Sequence, residues 1–265
     1  MNEDFLKSTV LNSHAVILEI PHGFGFEFAK KKLDIPKKSE ILDILPRIHD
    51  KQKTETINVE DIEDLQKKMR VKNRTQQFLI FHNAEKMNEQ AQNKFLKLLE
   101  EPRQNLHFIL MTNSVESLLL TVRSRAQKIR IPPISRNESI KILKKYKLYE
   151  KQISQIIFLA DGLPAELQKL ASDKKYLKQK IESVEIAKKW LSGSKFDKLV
   201  TANYFKTDRE KVLSFIEQCL NILRATTNQK TAAQNTKELK KLLACYYKIQ
   251  QNGNIRLNLL SLILN

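Results

Sequence analysis

Three apolar runs, HAVILEI (residues 14–20), QFLIF (77–81) and LHFILM (106–111), each pass through a few polar residues into a helical pattern. No other feature of the chain constrains the fold as strongly. A strand that reads as an unbroken apolar run is buried on both faces, and strands alternating with helices build a parallel sheet covered by those helices. QKIRIPP adds a short strand closed by Pro132 and Pro133, whereas SEILDILP is only a weaker apolar segment. FAKKKL begins a helix after the first strand. In INVEDIEDLQKKMRV, Ile57, Val59, Ile62, Leu65 and Met69 are spaced as a short extended lead into an amphipathic helix. NEQAQNKFLKLLEEP is a further helix, with Asn88 as its N-cap and Pro102 as its stop, and SVESLLLTVRSRA is also read as helical.

Beyond Pro133 the strand pattern ends. SRNESIKILKKY, EKQISQIIFLA and LPAELQKLA read as three short helices, with Asp161-Gly162 as a turn and Pro164 in a first turn. From about Lys174 onward the period is helical throughout, with polar breaks at SGSK and TTNQKTAAQNT. The last helix, IRLNLLSLILN, is apolar over more than one stripe, so something must bury it.

In an open parallel sheet, ligands bind outside the carboxyl ends of the strands, so the residues after each strand are the candidate site. After the first strand stands Pro21-His22-Gly23-Phe24-Gly25-Phe26-Glu27. A phosphate-binding loop of the G-x-x-x-x-G-K-[ST] type needs a lysine for the β/γ-phosphates and a hydroxyl for magnesium. Gly23 and Gly25 remain, but Phe26 and Glu27 follow them, and the Glu27 carboxylate repels a triphosphate. After the second strand, His82 and Asn83 occupy the place where an ATPase carries an acidic pair. After the third, Thr112 and Asn113 keep polar groups able to sense a phosphate or to satisfy strand-end backbone.

Other chemistry is poorly supported. The five histidines, at 14, 22, 49, 82 and 107, show no metal-ligand spacing, so no metal is expected. Cys219 and Cys245 lie inside apolar helical patterns and read as two buried thiols. Glu100 and Glu101 point in different directions on a helix end and read as solvated. No run approaches the roughly 18 to 20 apolar residues of a membrane span, and the N-terminus opens with acidic residues rather than a long apolar core, so a cytoplasmic location off the membrane is expected.

The formal charge of +17 is uneven: residues 1–100 hold 17 basic and 16 acidic residues, and 101–265 hold 30 and 14. Such a field attracts phosphate backbones or an acidic partner. Aromatic residues, at 7% of the chain, are read as not interleaved with the basic runs, which argues against a stacking platform for single strands.

The stretch NEQAQNKFLKLLEEPRQNLHFILMTNSVESLLLTVRSRAQKIRIPP resembles bacterial clamp-loader subunits, from the degenerate Walker B helix through L-L-[KR]-x-L-E-E-P to the S-R-C motif. INVEDIEDL is similar to the family's I-x-V-D-x-I-R-x-L segment, and NGNIRLNLLSLIL to its collar ending. The sequence departs from the pattern at Ala126 in place of the S-R-C cysteine, at Glu63 in place of an arginine, and in having no zinc insertion between Leu33 and Ile41.

The resemblance implies an α/β fold with a RecA-like AAA+ parallel sheet domain over residues 1–133, a small helical lid over 134–173 and an all-α collar over 174–265. It implies the kind of subunit that keeps this fold while losing nucleotide chemistry and binding no cofactor, so that the chain itself is catalytically inactive within a polymerase holoenzyme. Gly23 and Gly25 then form a degenerate loop, His82 and Asn83 a degenerate Walker B, and Asn113 the sensor-1 position. DGLPAELQKL is similar to the sensor-2 helix, with Ala165 or Glu166 where its arginine would stand. Ser124 and Arg125 are the implied catalytic positions, Arg125 acting in trans as an arginine finger. By spacing alone, Arg123 and Arg125 pair with acidic surface groups. The implied partners are the clamp-loader ATPase subunits and clamp-opening subunit in a hetero-oligomeric ring, and through it the sliding clamp and primer-template DNA. The alternatives are a DNA-binding adaptor with a vestigial sheet and an active ATPase with an unconventional loop.

Overall fold

The computed structural model describes residues 3–49, 53–69, 75–101, 103–205, 208–227 and 232–264; Pro102, the expected helix stop, lies outside them. The chain divides into two compact units. The first comprises Met1–Ile142 with Gly162–Gln168, and the second Leu143–Asp161 with Lys169–Asn265.

The first unit runs α1 (Glu3–Asn12), β1 (Ala15–Glu19), α2 (Phe26–Lys32), β2 (Glu40–Ile44), α3 (Val59–Lys68), β3 (Gln77–Phe81), α4 (Glu89–Glu100), β4 (Leu106–Thr112), α5 (Leu120–Arg123), β5 (Gln127–Arg130) and α6 (Arg136–Leu143), whose last residue falls in the second unit. The five strands form one parallel sheet in the order β2-β3-β4-β1-β5. This is the α/β class expected from the sequence, a parallel sheet with helices around it.

The apolar runs bury both faces because successive side chains point to opposite sides. Ala15, Ile17, Leu79, Phe81, Leu106, Phe108 and Leu110 enter one core with α3 and α4, where Phe95 packs against Phe81 and Phe108 at ring-centroid distances of 5.0 and 5.1 Å. Val16, Leu18, Phe78, Ile80, Ile109 and Met111, the alternate residues, are buried as well.

The expected N-cap of α4 is present: Asn88 Oδ1 accepts the Ala91 N–H at 2.8 Å. At the departure Glu63, the carboxylate meets Lys94 Nζ at 2.7 Å and ties α3 to α4. Ala126, the other departure, packs against the sheet core. Two elements escaped the sequence reading. SEILDILP contains the edge strand β2, which is hard to recognise because it is largely exposed, and α1 precedes the first strand. SVESLLLTVRSRA, read as helical, is broken into the 3-10 turn Val115–Ser117 and the short α5.

The second unit is helical: α7 (Glu150–Ala160), the end of α8 (Pro164–Ser172), α9 (Lys174–Ser192), α10 (Lys195–Tyr204), α11 (Arg209–Thr226), α12 (Ala232–Gln250) and α13 (Ile255–Leu264). Its core gathers Trp190, Phe215, Ile216, Leu242 and Ile249. Cys219 and Cys245 are both buried and free, as expected, and burial pushes the Cys245 thiol up to about 11. On α13, Ile255, Leu259 and Ile263 are buried, while Leu257 and Leu264 remain exposed.

A longer exposed apolar stripe lies on α10, where sequence reading did not place one. Phe196, Leu199, Val200 and Tyr204, at i, i+3, i+4 and i+8, are 73%, 43%, 56% and 61% exposed. Among the described residues no helix is long and apolar enough to cross a membrane.

Candidate functional site at the carboxyl edge of the sheet

The strand register brings the candidate residues to one edge. Thr112 at the end of β4 lies beside Glu19 at the end of β1, and Phe81 at the end of β3 lies beside Leu110. The residues that follow these strands therefore emerge together.

After β1 the chain turns through Gly23 and Gly25, whose φ angles of 82° and 87° lie where glycine alone is unstrained. Phe24 between them is fully buried. The first turn of α8 lies directly on this loop: the Glu166 N–H donates to the Gly23 carbonyl at 2.9 Å and the Ala165 N–H to the Phe24 carbonyl at 3.2 Å.

A Cβ on Gly25 would come within 3.0 Å of the Ala165 Cβ, and one on Gly23 within 3.3 Å of Leu163 Cδ1. The two glycines thus permit close approach of the chain's own helix. Gly162, at φ 74°, anchors that helix through its carbonyl, which accepts the Ile134 N–H at 2.8 Å. A phosphate cradle presents backbone N–H groups to an anion. Here loop carbonyls receive the N–H groups of α8. The following helix, α2, is seven residues long, with Glu27 in its first turn and no side-chain cap. Ala165 and Glu166, singled out in the sequence as positions lacking an arginine, supply those two amides. The contact joins segments far apart in the chain, which no local pattern reveals.

After β3, His82 is buried and its Nε2 lies 2.8 Å from Asp43 Oδ1 on β2, while Lys30 Nζ of α2 lies 2.5 Å from Asp43 Oδ2. Partial burial raises the Asp43 pKa, but hydrogen bonds from Lys30 and His82, with Coulombic attraction, outweigh it and hold the carboxyl below its ordinary value. Asn83 adopts a left-handed conformation at φ 50°. After β4, Asn113 Nδ2 donates to the Ile20 carbonyl at 2.7 Å, tying β4 to the end of β1, and Thr112 Oγ1 donates to the Ser114 carbonyl at 2.9 Å. His82 and Asn113 therefore have partners within the protein. Among the described residues no group of three or more His, Cys, Asp and Glu is placed to hold a metal.

Arg125 follows α5. Its Nη2 donates to Glu100 Oε1 at 2.8 Å and its Nη1 to the Thr121 carbonyl at 3.1 Å, and its side chain is 37% exposed. Ser124 is exposed and its hydroxyl also donates to the Thr121 carbonyl, at 3.0 Å. Glu100, read from sequence as a solvated helix end, is the partner of Arg125. The buried Arg123 Nε meets no hydrogen-bond partner.

Residues 31–135 match the family described as DNA polymerase III, delta subunit. Over 44 residues the chain is 52% identical to DNA polymerase III subunit delta' of Haemophilus influenzae, a match spanning 17% of this chain and 14% of that protein. Each match covers less than half of the chain. Among solved structures, a DNA polymerase III gamma subunit-related protein of Thermotoga maritima aligns over 99% of this chain and 97% of its own, at 20% identity and a TM-score of 0.47. The RuvB Holliday junction branch migration motor of the same organism aligns over 88% and 83%, at 14% identity and 0.48.

The lowered Asp43 pKa fixes the sign of a pH effect. A carboxyl that titrates lower in the folded than in the unfolded chain adds stability above its unfolded pKa and loses it as the pH falls through the folded value. Urea midpoints of the wild type and Asp43→Asn are expected to differ at pH 7 and to converge as the pH falls below the ordinary carboxylate range. A difference that does not change with pH would contradict the Lys30-Asp43-His82 arrangement.

Proposed function

We propose that the chain is a delta-prime-like, non-hydrolysing subunit of a cytoplasmic replicative clamp loader. In this reading residues 1–133 are the AAA+ domain, 134–173 the lid and 174–265 the collar. The chain scaffolds a ring of ATPase subunits with a clamp-opening subunit, acts on the sliding clamp and primer-template DNA through that complex, and needs no cofactor. The observation that carries the reading is the loop at Gly23 and Gly25, whose carbonyls receive the Ala165 and Glu166 amides while Phe26 and Glu27, rather than a lysine and a hydroxyl, directly follow Gly25. The family match over residues 31–135 adds support.

Arg125 then acts on a neighbour. A guanidinium at a subunit boundary stabilises the charge that develops on a transferring γ-phosphate, and its planar fork reaches two oxygens where an ammonium reaches one. In the free chain Glu100 holds that guanidinium. The pair is half-exposed and worth little in water, so a phosphate carrying more charge can displace it.

Arg125→Ala is expected to lower hydrolysis at the adjoining site by about 10³ with assembly intact, and Arg125→Lys to fail as well. Total turnover falls by a smaller factor if only one site adjoins this subunit. Glu100→Gln leaves the rate unchanged or raises it. The assay is DNA- and clamp-stimulated hydrolysis in complexes reconstituted with each variant. Wild-type rates from an assembled Arg125→Ala complex would reduce the residue to a surface ion-pair partner.

The exposed stripe on α10 supports a collar contact, since an apolar row at i, i+3, i+4 and i+8 suits a partner helix. Phe196→Asp with Leu199→Asp is expected to leave the helical circular dichroism unchanged and to weaken assembly about tenfold or more in gel filtration. Undiminished assembly would place the collar contact elsewhere.

A further inference from the structure

We propose that the segment Lys144–Lys151 is a contact site for single-stranded nucleic acid, with Tyr149 as the ring on which a base stacks. This site belongs to the second unit alone and stands whether or not the chain joins a ring.

The stretch KKYKLYEK places four lysines and two tyrosines within eight residues, with Glu150 the single acidic residue among them. It corrects the reading that aromatic residues are not interleaved with basic ones. Lys144, Lys145, Lys147 and Lys151 are all exposed, and none of them takes part in an ion pair among the described residues. Other lysines of the chain, such as Lys30, Lys94 and Lys128, are held by carboxylates. The positive charge of this segment is therefore available to a ligand.

The two tyrosines differ. Tyr146 is half-buried, and Lys145 Nζ lies 5.2 Å from its ring centroid. Tyr149 is 81% exposed, the most exposed large apolar side chain among the described residues. Its backbone is nonetheless fixed: its N–H donates to Gln152 Oε1 and its carbonyl accepts the Ile153 N–H, both at 3.0 Å. The preceding turn is ordered by the Tyr146 N–H to the Leu143 carbonyl at 2.9 Å, and buried Leu143 and Ile156 anchor the two ends. An aromatic face held open on a fixed backbone loses little freedom when a flat partner stacks on it.

These features select the ligand class. Mobile ammonium groups suit a phosphate backbone, and an open ring beside them suits an unpaired base, whose face a duplex keeps stacked. An acidic polypeptide would use the lysines and leave the ring idle.

Fluorescence anisotropy of labelled oligo-dT with the full chain tests this. The wild type is expected to bind it more tightly than a duplex of equal length. Tyr149→Ala should weaken binding about 5- to 100-fold with unchanged circular dichroism, and Tyr149→Phe should retain it. The triple variant Lys144→Ala, Lys145→Ala, Lys147→Ala should lower the slope of log affinity against log salt by about 2. Wild-type affinity in Tyr149→Ala, absence of binding, equal affinity for duplex, or equal competition by poly-glutamate would each overturn the proposal.

Discussion

Two hydrogen bonds, from the Glu166 and Ala165 amides to the Gly23 and Phe24 carbonyls, determine what the carboxyl edge of the sheet can do. A helix N-terminus carries unpaired N–H groups that attract an anion or a lone pair. In this chain α8 directs them at the loop between β1 and α2. The same two glycines that give the loop the look of a phosphate cradle are needed for this approach, because a Cβ at Gly25 would press on Ala165. Once the loop carbonyls and α8 meet, these two amides are taken up within the protein.

The other strand ends follow the same logic. His82 is held by Asp43, which is itself paired with Lys30, and Asn113 is bonded to the Ile20 carbonyl. Each group that would face a nucleotide in an ATPase closes a structural contact here. Arg125 differs, since its partner Glu100 is half-exposed and the pair can exchange. The sheet edge thus carries internal bonds, while the arginine beyond α5 keeps a guanidinium near the surface.

Much of this was legible in the sequence because burial on both faces writes itself as unbroken apolar runs: β1, β3 and β4 were read directly, and Asn88 was recognisable as a cap from its position before an amphipathic helix. The edge strand β2 was not, because an exposed strand beside a single neighbour has no apolar run to display. Glu63 was noted as a departure, but its bond to Lys94 required knowing that α3 and α4 are neighbours. The seating of Ala165 and Glu166 on the loop lies some 140 residues away in the chain from Gly23, and its energetics reside in backbone groups that carry no residue signature. For the same reason the stripe on α10 was overlooked in favour of α13: composition marks α13 as the more apolar helix, but burial within the second unit takes its Ile255, Leu259 and Ile263 and leaves Phe196 and Tyr204 outside.

The central claim is that the Gly23–Gly25 loop is filled by the chain's own helix and holds no nucleotide. Titration calorimetry of the isolated wild-type chain with ATP and magnesium tests it most directly. The account predicts no saturable heat up to about millimolar ATP, a binding free energy weaker than roughly 4 kcal/mol, and no released phosphate. Saturable micromolar binding, with or without turnover, would contradict it.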